Sequence, residues 1–398
     1  MKHLSVCGQA FGVALILVGC GASALSQNNQ WQTAHSLEQQ GRYAEAETAW
    51  TTLSKEFPSN PEPYAYLGLL EARQQHYPAA IAYYRKAMTL NPAMPGLRTN
   101  LGLAFFKNSD YKQAIQVLDP LLKAAPAASP EAQRLTILVG MSHYGLSEFA
   151  AATPYLKQAA NRDPQNLTLL LTLAHSCLLS AQYQCVLDTY HRMIALNAES
   201  AEVDMLMGEA LDQMNERVDA TQKFRDAVKA DPKEPDVHFG LGYLLWKQGQ
   251  TQEAAQQFQA ELANDPHHLQ AMFYLADSDI QMNQMDEARP LLEKLVKINP
   301  QDYMVHVDLG ILYINEGRKQ DALTELQTAA KLEPNDVRAH WQLARLYRSM
   351  GKTAQARVEL DKTRNLNKAA DDQLLKIMSR NPHPQSGSAG DMTAPASK

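Results

Sequence analysis

The chain has 398 residues, of which 45% are hydrophobic and 20% are charged. These proportions are typical of a folded protein and argue against a low-complexity chain. A single hydrophobic core stops growing at roughly 250 to 300 residues, so this length predicts either several domains or an array of repeats. The net charge of -6 and the lack of a Lys/Arg-rich run argue against nucleic-acid binding.

The first 26 residues are interpreted as an export leader. A positive start is followed by the apolar run FGVALILV at Phe11–Val18, which is shorter than a membrane span. Ala22-Ser23-Ala24 fits the rule for ordinary signal peptidase, whereas Leu17-Val18-Gly19-Cys20 resembles a bacterial lipobox, in which Cys20 would be lipidated. Cleavage by signal peptidase predicts a soluble periplasmic or secreted protein, whereas lipidation of Cys20 predicts a membrane-anchored lipoprotein. An uncleaved leader that anchors the protein is a third alternative.

Behind the leader, the sequence repeats every 34 residues, with one shift of four residues. One position holds Ala in nine of ten units and Val in the other: Ala46, Ala80, Ala114, Ala152, Val186, Ala220, Ala254, Ala288, Ala322 and Ala356. A Gly or Ala lies twelve residues before each of them, a large apolar residue lies four after, and in eight units a Pro lies twelve after. In the second unit these residues are Gly68, Tyr84 and Pro92.

This pattern resembles the tetratricopeptide repeat in both its period and its residue types. The resemblance covers ten units, from Gln27 to about Asn367. It implies an all-α fold, an α-α superhelix (TPR solenoid) of about ten helical hairpins plus a C-terminal capping helix. Apolar residues at three- and four-residue spacing agree with two helices per unit. Gly68 is expected to meet Ala80 where these helices cross, because a larger residue would overpack the crossing.

The chain is therefore divided into a leader, ten units and two terminal segments. The predicted boundaries are 1–26 for the leader, 27–126 for units one to three, 127–132 for a short insertion, 133–368 for units four to ten, 369–380 for a capping helix and 381–398 for a disordered tail. The extra residues lie in Ala124–Pro130 (AAPAASP), where they can kink the stack. The tail is rich in Pro, Ser and Gly and has no aromatic residue.

Cys177 and Cys185 are the thiols that remain once the leader is removed. They lie on the two helices of the fifth unit, at similar distances from the turn between them. In an oxidising compartment they can form a disulfide, and otherwise they are two buried thiols. A metal site with His175 and His191 is not expected, because the two histidines should face opposite surfaces. No metal and no cofactor is predicted.

The resemblance also implies a ligand-binding groove lined by the first helix of each unit. The residues carried over are Tyr66, Leu69, Arg73, Asn100, Phe106, Lys107, Tyr144, Phe239, Tyr243, Trp246, Phe273, Tyr274, Trp341 and Arg345. Some family members bind a C-terminal carboxylate through a clamp of basic and Asn side chains. Here Asn100 fits one clamp position, but Leu103 replaces the second Asn. The aromatic groove instead favours anchoring of apolar side chains from a helix or an extended segment.

The predicted function is that of an exported scaffold, not an enzyme. It binds a partner protein or peptide in the groove and supports assembly of a cell-envelope or secretion complex. The alternative is a noncatalytic regulatory or adaptor subunit of an exported enzyme complex. No HExxH, phosphate-binding glycine loop or GxSxG motif occurs in the sequence. Membrane contact is expected only through a leader-derived lipid anchor, and the oligomeric state is not predicted.

Overall fold

The structure, a computed structural model, describes residues 29–380 and the side chains of residues 29–368. Within this range the chain forms twenty α-helices and no strand. The predicted leader with Cys20 and the predicted tail 381–398 lie outside the described residues. The all-α repeat fold expected from the 34-residue period is confirmed.

The helices fall into two compact units. Unit 1 extends to Glu199 and also takes in Glu209–Asn215, and unit 2 consists of Ser200–Gly208 and the chain from Glu216 onward. The helices before the division are α1 (29–39), α2 (Tyr43–Glu56), α3 (Pro61–Arg73), α4 (Tyr77–Leu90), α5 (Leu97–Lys107), α6 (Tyr111–Ala124), α7 (Pro130–Gly145), α8 (Phe149–Arg162), α9 (Leu167–Leu179) and α10 (Tyr183–Ala195). The division passes through α11 (Ala201–Gln213).

The remaining helices belong to unit 2. They are α12 (Arg217–Ala230), α13 (Val237–Lys247), α14 (Thr251–Asn264), α15 (Leu269–Gln281), α16 (Met285–Ile298), α17 (Tyr303–Asn315), α18 (Lys319–Leu332), α19 (Val337–Ser349) and α20 (Thr353–Arg380). Odd-numbered helices are the first helices of the hairpins, here called A helices, and even-numbered helices are the B helices. Helices adjacent in the chain pack on one another from α2 to α10 and from α12 to α20. The A helices α3, α5 and α7 of unit 1 also contact one another in succession, and so do α13, α15, α17 and α19 of unit 2.

A small residue on the A helix makes room for a large residue on the B helix. A Cβ atom placed on Gly68 would lie 2.7 Å from the ring of Tyr84, and one on Gly102 would lie 2.3 Å from Leu118. Gly68 is expected from the sequence to meet Ala80, and the atoms nearest to a Cβ at Gly68 belong to Tyr84, one turn after Ala80. The difference arises because a helical side chain covers the turn before its own Cα, so Tyr84 reaches across the turn of Ala80 to the A helix.

The four extra residues of the third unit are divided between a loop and a helix. The chain leaves α6 after Ala124 and enters α7 at Pro130, and Ser129 accepts a hydrogen bond from the Ala132 backbone N–H at 3.1 Å. Residues 130–132 of the predicted insertion 127–132 are therefore helical. A proline at the first turn of a helix loses no intrahelical hydrogen bond, which favours this extension of α7.

The predicted capping segment 369–380 is helical, but it is not a separate helix. It forms the C-terminal part of α20, which runs without interruption from Thr353 to Arg380. In eight earlier units a Pro ends the B helix, whereas Lys368 occupies the corresponding position here. Lys keeps its backbone N–H and permits the α-helical conformation in the preceding residue, so the helix continues.

The structure joins Cys177 of α9 to Cys185 of α10 by a disulfide. The Cα atoms are 5.8 Å apart, within the usual range for bridged cysteines. Cys177 is fully buried, and the bridge closes a loop around the turn at Ala181. It therefore ties the two helices of the fifth hairpin together, and its sulfur atoms are not available as metal ligands.

Replacing Gly102 with Ala should destabilise the protein. The added methyl group overlaps Leu118, which is fully buried and cannot move into solvent. We expect a net loss of about 1 to 2 kcal/mol, since overpacking costs about 1 to 3 kcal/mol and the helix preference of Ala returns up to about 1 kcal/mol. Urea unfolding followed by circular dichroism measures the loss.

The control is a double-mutant cycle with Leu118→Ala. Because Leu118→Ala removes the atoms that the new methyl group strikes, the two substitutions should be less than additive, by about 0.5 to 2 kcal/mol. Strict additivity would contradict the contact between Gly102 and Leu118.

Candidate functional site

The surface formed by the A helices is here called the A-helix face. In unit 1 it begins with a stack of aromatic rings. Tyr66 lies flat on Trp50, with ring centroids 4.5 Å apart and an interplanar angle of 5°, and His35 meets both rings edge-on. Trp50 is fully buried, and its Nε1–H has no hydrogen-bond acceptor among the described residues. Burial raises the pKa of Tyr66, and the charge of Glu62 adds to the effect. Tyr66 is half-buried, so its side chain stays accessible in part.

Arg73 lies near the end of α3 and is held by groups of the first hairpin. Its guanidinium lies 3.5 Å from a carboxylate oxygen of Glu38 and 5.3 Å from the ring centroid of Tyr43. Leu69, one helical turn earlier, is half-buried. Arg73 is thus partly neutralised within the hairpin stack, which reduces its capacity to bind an anionic ligand.

The third and fourth hairpins continue this face with apolar and polar side chains. Phe106 packs against a core cluster and lies 5.8 Å from the ring of Tyr111, while Tyr144 lies 5.5 Å from the ring of Phe149. Asn100 is half-buried and Lys107 is exposed. These predicted residues are accessible in part, and no single cluster joins them.

In unit 2, four of the predicted groove residues form one aromatic cluster on α13 and α15. The members of this α13–α15 cluster are Phe239, Tyr243, Trp246 and Tyr274. Trp246 and Tyr274 have ring centroids 4.9 Å apart, Tyr243 and Tyr274 5.3 Å, and Phe239 and Tyr274 6.1 Å. All four rings are half-buried, so each keeps an accessible edge or face.

The cluster rests on the hairpin core and carries no charge of its own. Tyr274 stacks on Phe258, the large B-helix residue of the seventh hairpin, which is fully buried. Burial raises the pKa of Tyr274 to about 12, with the neighbouring Tyr243 also contributing, so its hydroxyl stays neutral. The rings therefore form a neutral apolar surface that is held in place by packing on the buried Phe258.

A hydrogen-bonded network extends from the cluster across the later A helices. Trp246 Nε1–H donates to Asp277 Oδ2 at 2.8 Å, and Gln281 Nε2–H donates to the same oxygen at 2.6 Å. Arg338 Nη2–H donates to Asp277 Oδ1 at 2.7 Å and to Asp308 Oδ1 at 2.6 Å. These bonds connect α13, α15, α17 and α19.

The network holds two buried carboxylates and one guanidinium. Asp277 is 1% exposed and Asp308 is 0% exposed, and Asp308 Oδ2 has no hydrogen-bond partner among the described residues. Burial raises the pKa of Asp308 to about 8, although Arg338 opposes that rise. Below that pH the protonated form of Asp308 is favoured, and Arg338 is then balanced by Asp277 alone.

Two other predicted residues lie on α19. Trp341 is 43% exposed, and the guanidinium of Arg345 lies 4.6 Å from its ring centroid. The prediction for Phe273 is wrong, because this residue is only 7% exposed and belongs to a core cluster with Met272 and Leu309. Phe273 precedes Tyr274 by one residue, and the rotation of about 100° per residue turns its side chain toward the core.

One group of possible metal ligands occurs in unit 2, namely Asp236, Glu261 and His268. His268 Nδ1 accepts a hydrogen bond from the Ala271 backbone N–H at 3.0 Å, which places the proton of the neutral ring on Nε2. That N–H points at Asp236 Oδ1, 2.8 Å away. Glu261 accepts a hydrogen bond from the Phe239 backbone N–H at 3.0 Å. The group therefore caps helices α13 and α15, and its imidazole offers no lone pair to a metal.

Sequence reasoning did not identify Asp277, Asp308 and Arg338. A signal for Asp308 was present, because it is the only acidic residue in the otherwise apolar helix α17 (YMVHVDLGILYIN). Charged groups are rarely buried unless they are paired, so a lone acid in such a helix predicts a partner elsewhere. Its partner, Arg338, lies 30 residues away, and that distance made the pair hard to recognise.

Within residues 29–380, no helix combines the length and apolar character that a membrane crossing requires.

The helical hairpins and the accessible side chains on their A helices together define an α-helical repeat protein. Two family models, both described as tetratricopeptide repeat, match the chain. One matches residues 71–136, 245–306, 286–340 and 313–380, and the other matches residues 32–95 and 205–268. The matched residues cover more than half of the chain, which therefore belongs to the tetratricopeptide repeat family.

Curated relatives are similar over part of their length. The chain is 23% identical over 183 residues to the anaphase-promoting complex subunit CDC16 of Saccharomyces cerevisiae, covering 45% of this chain and 22% of that protein. It is 24% identical over 215 residues to the BBSome complex member BBS4 of Bos taurus, covering 46% of this chain and 41% of that protein. The chain thus spans less than half the length of these relatives.

Solved structures show similarity at low identity. MamA from Desulfovibrio magneticus RS-1 is 20% identical with a TM-score of 0.39, and the match covers 43% of this chain and 97% of that chain. YrrB, described as a TPR protein with an unusual peptide-binding site, is 20% identical with a TM-score of 0.38, covering 48% of this chain and 97% of that chain. At these identities the similarity concerns the fold alone.

The buried carboxyl of Asp308 predicts a stability that falls as the pH rises. Its folded pKa is about 8 and its ordinary value is 3.8, so between these values the folded state binds the extra proton and stability falls with pH. Asp308→Asn removes this penalty. We expect the two proteins to have the same free energy of unfolding near pH 3.8. Above about pH 8 the variant should be more stable than the wild type by up to a few kcal/mol, since one pKa unit corresponds to about 1.36 kcal/mol.

Thermal unfolding of both proteins over this pH range measures the difference. Asp361→Asn is the control, because it makes the same substitution at an exposed carboxylate on α20 and should not produce a pH-dependent gain in stability. Burial also raises the pKa of Asp279, and Glu325 raises the pKa of His306, but both groups are common to all the proteins compared. A difference between Asp308→Asn and wild type that does not change with pH would rule out the buried proton.

Proposed function

We propose that this protein is a noncatalytic scaffold that binds segments of partner proteins on the A-helix faces of its repeats. The observation that carries the proposal is the α13–α15 cluster, in which four aromatic rings remain partly accessible although they pack on one another. Aromatic side chains in such settings are the usual anchors of protein interfaces.

The rings are suited to binding because they are already fixed. Trp246 is held by its hydrogen bond to Asp277, and Tyr274 is held by stacking on Phe258. Binding to fixed side chains loses little rotamer entropy, so a larger part of the contact energy appears as affinity. The curated relatives CDC16 and BBS4 are named as members of multiprotein complexes, which supports a scaffold role but does not identify a partner.

We further propose that the scaffold works outside the cytoplasm, in assembly of a cell-envelope or secretion complex. The leader-like start of the sequence and the lipobox-like residues before Cys20 support this proposal. The bridge between Cys177 and Cys185 is consistent with an oxidising compartment. The alternative is a noncatalytic adaptor subunit of an exported enzyme complex. Such a subunit would also be exported, but it would not need a lipid anchor.

Site-specific photocrosslinking tests the scaffold role. A benzoylphenylalanine replaces Tyr243 on the A-helix face, and in separate control proteins it replaces Val218 or Val358, which are exposed on B helices. We expect reproducible capture of the same partner from Tyr243 and not from the two controls. Tyr243→Ala should weaken binding of the captured partner by about 2 kcal/mol, as for a hot-spot residue. Equal capture from all three positions would contradict binding on the A-helix face.

Substitution of Cys20 tests the anchored form of the protein. If Cys20 is lipidated, Cys20→Ala should move the protein from the membrane fraction to the soluble fraction, and intact mass should lose the acyl groups. Ser23→Ala is the control, because it is a nearby substitution that keeps the lipobox cysteine and also keeps Ala22 and Ala24 of the competing cleavage site. Unchanged mass and fractionation in Cys20→Ala would favour the soluble exported form and the adaptor alternative.

A further inference from the structure

The first helix of the last hairpin, α19, is positively charged on its accessible side. It contains Arg338, Arg345 and Arg348 and no acidic residue, in a chain whose net charge is -6. Together with Trp341 these residues are spaced three, four and three apart, which places them along one stripe of the helix. Trp341, Arg345 and Arg348 are all exposed.

Within the stripe, the guanidinium of Arg338 is already bound by the protein's own Asp277 and Asp308, to which it donates hydrogen bonds. The Arg345 side chain donates only a long hydrogen bond of 3.5 Å to Gln342, and among residues 29–368 no carboxylate oxygen lies within 4.0 Å of Arg345 or Arg348. Two guanidinium groups therefore remain without a counter-ion in this part of the chain.

The neighbouring helix α17 adds aliphatic side chains beside the stripe. Ile311 and Ile314 of α17 are half-buried and pack against core clusters that contain Ala339 and Leu343 of α19. The acidic residues nearby on α20 are already used, since Glu359 pairs with His340 and Lys362, and Asp361 pairs with Arg364. The stripe thus combines an exposed indole, two unpaired cations and adjacent aliphatic groups.

We propose that Trp341, Arg345 and Arg348 bind an acidic segment of a partner protein, which places an apolar side chain on Trp341 and carboxylates on the two arginines. This inference rests on the proposed scaffold function and specifies the chemistry of one end of the unit 2 face. Arginine binds carboxylates through paired N–H donors, and stacking on Trp341 fixes the guanidinium of Arg345 before binding. The carboxylate clamp of the family uses other positions, where this chain lacks the basic residues.

The charge and size of the stripe favour a protein segment over other anions. A helix rises about 1.5 Å per residue, so the stripe spans about 15 Å, the length of a short extended segment. The overall charge of -6 repels nucleic acid and anionic membranes, which need a wide basic surface. The chain's own tail, residues 381–398, contains a single acidic residue, Asp391, and does not supply such a segment.

Fluorescence anisotropy with the full chain tests the proposal. The probes are three fluorescein-labelled nonapeptide pools with a central Phe or Leu, flanked by Asp and Glu, by Asn and Gln, or by Lys and Arg. We expect the acidic pool to bind at least about tenfold more tightly than the other two, and its affinity to fall as salt is added. The neutral pool should bind weakly and with little salt dependence.

Variants assign the binding to the stripe. Arg345→Glu with Arg348→Glu should reduce affinity for the acidic pool by at least about tenfold and leave the neutral pool unchanged. Trp341→Ala should weaken both pools. Arg364→Glu is the matched control, because Arg364 is 79% exposed on α20 of the same hairpin and should not affect either pool. Circular dichroism of each variant establishes that the helices are retained.

Several results would overturn the inference. These are equal affinity for the acidic and neutral pools, no binding of any pool, no effect of the double variant, binding to phosphatidylglycerol vesicles in place of peptides, or self-association that the double variant abolishes. The proposed scaffold function is tested separately, by the crosslinking experiment at Tyr243. It survives if the acidic preference is absent but crosslinking from Tyr243 still captures one partner, and it fails if that crosslinking shows no preference for the A-helix face.

Discussion

The close crossing of the two helices in each hairpin is the constraint on which the rest of the structure depends. A Gly or Ala on the A helix faces a large residue on the B helix, as in the contact of Gly242 with Phe258. The contact recurs at the glycines of six hairpins, and every unit of the sequence has Gly or Ala at this position, so the crossing sets the period of 34 residues. A misfit at one crossing disturbs its own hairpin and its direct neighbours first.

The same contact also supports the candidate site. Phe258 is fully buried beneath the α13–α15 cluster, where it meets Gly242 on one side and Tyr274 on the other. The rings on the surface therefore take their positions from the packing below them. Helical rotation separates the two roles along the sequence, because Gly242 turns inward while the next residue, Tyr243, lies on the A-helix face. Adjacent residues can thus serve folding and binding independently.

The period made the fold predictable from sequence, but it did not reveal the turns or the charged network. In the first eight hairpins the turn residue with positive φ is a glycine only at Gly41 and Gly249, whereas Gln75, Ala181 and Asn283 adopt the same conformation. The hairpin geometry imposes this conformation even on Gln75 and Ala181, whose side chains disfavour it, so the residue types at these positions did not indicate the turns. Phe273 was wrongly assigned to the groove for a related reason. It lies one residue before Tyr274, and the helical rotation of a single residue separates the core from the surface.

The polar contacts of unit 2 were hidden because they join residues that are far apart in sequence. Arg338 reaches Asp308 and Asp277 at separations of 30 and 61 residues. His306 and His340 repeat another pattern, in which one ring nitrogen faces the carbonyl of Pro300 or Pro334 and the other faces a glutamate. The hydrogen bond with Glu325 raises the pKa of His306.

These buried polar contacts bear on binding because they connect the A helices that form the face. A buried ion pair contributes little net stability after desolvation, but it favours one alignment of the helices that it joins. Trp246 at one end of the network belongs to the α13–α15 cluster, and Arg338 at the other end begins the stripe of α19. The aromatic and basic parts of the unit 2 face are therefore held in register by one chain of hydrogen bonds. A ligand that contacts both parts meets a surface whose spacing is set before it arrives, which reduces the entropy lost on binding.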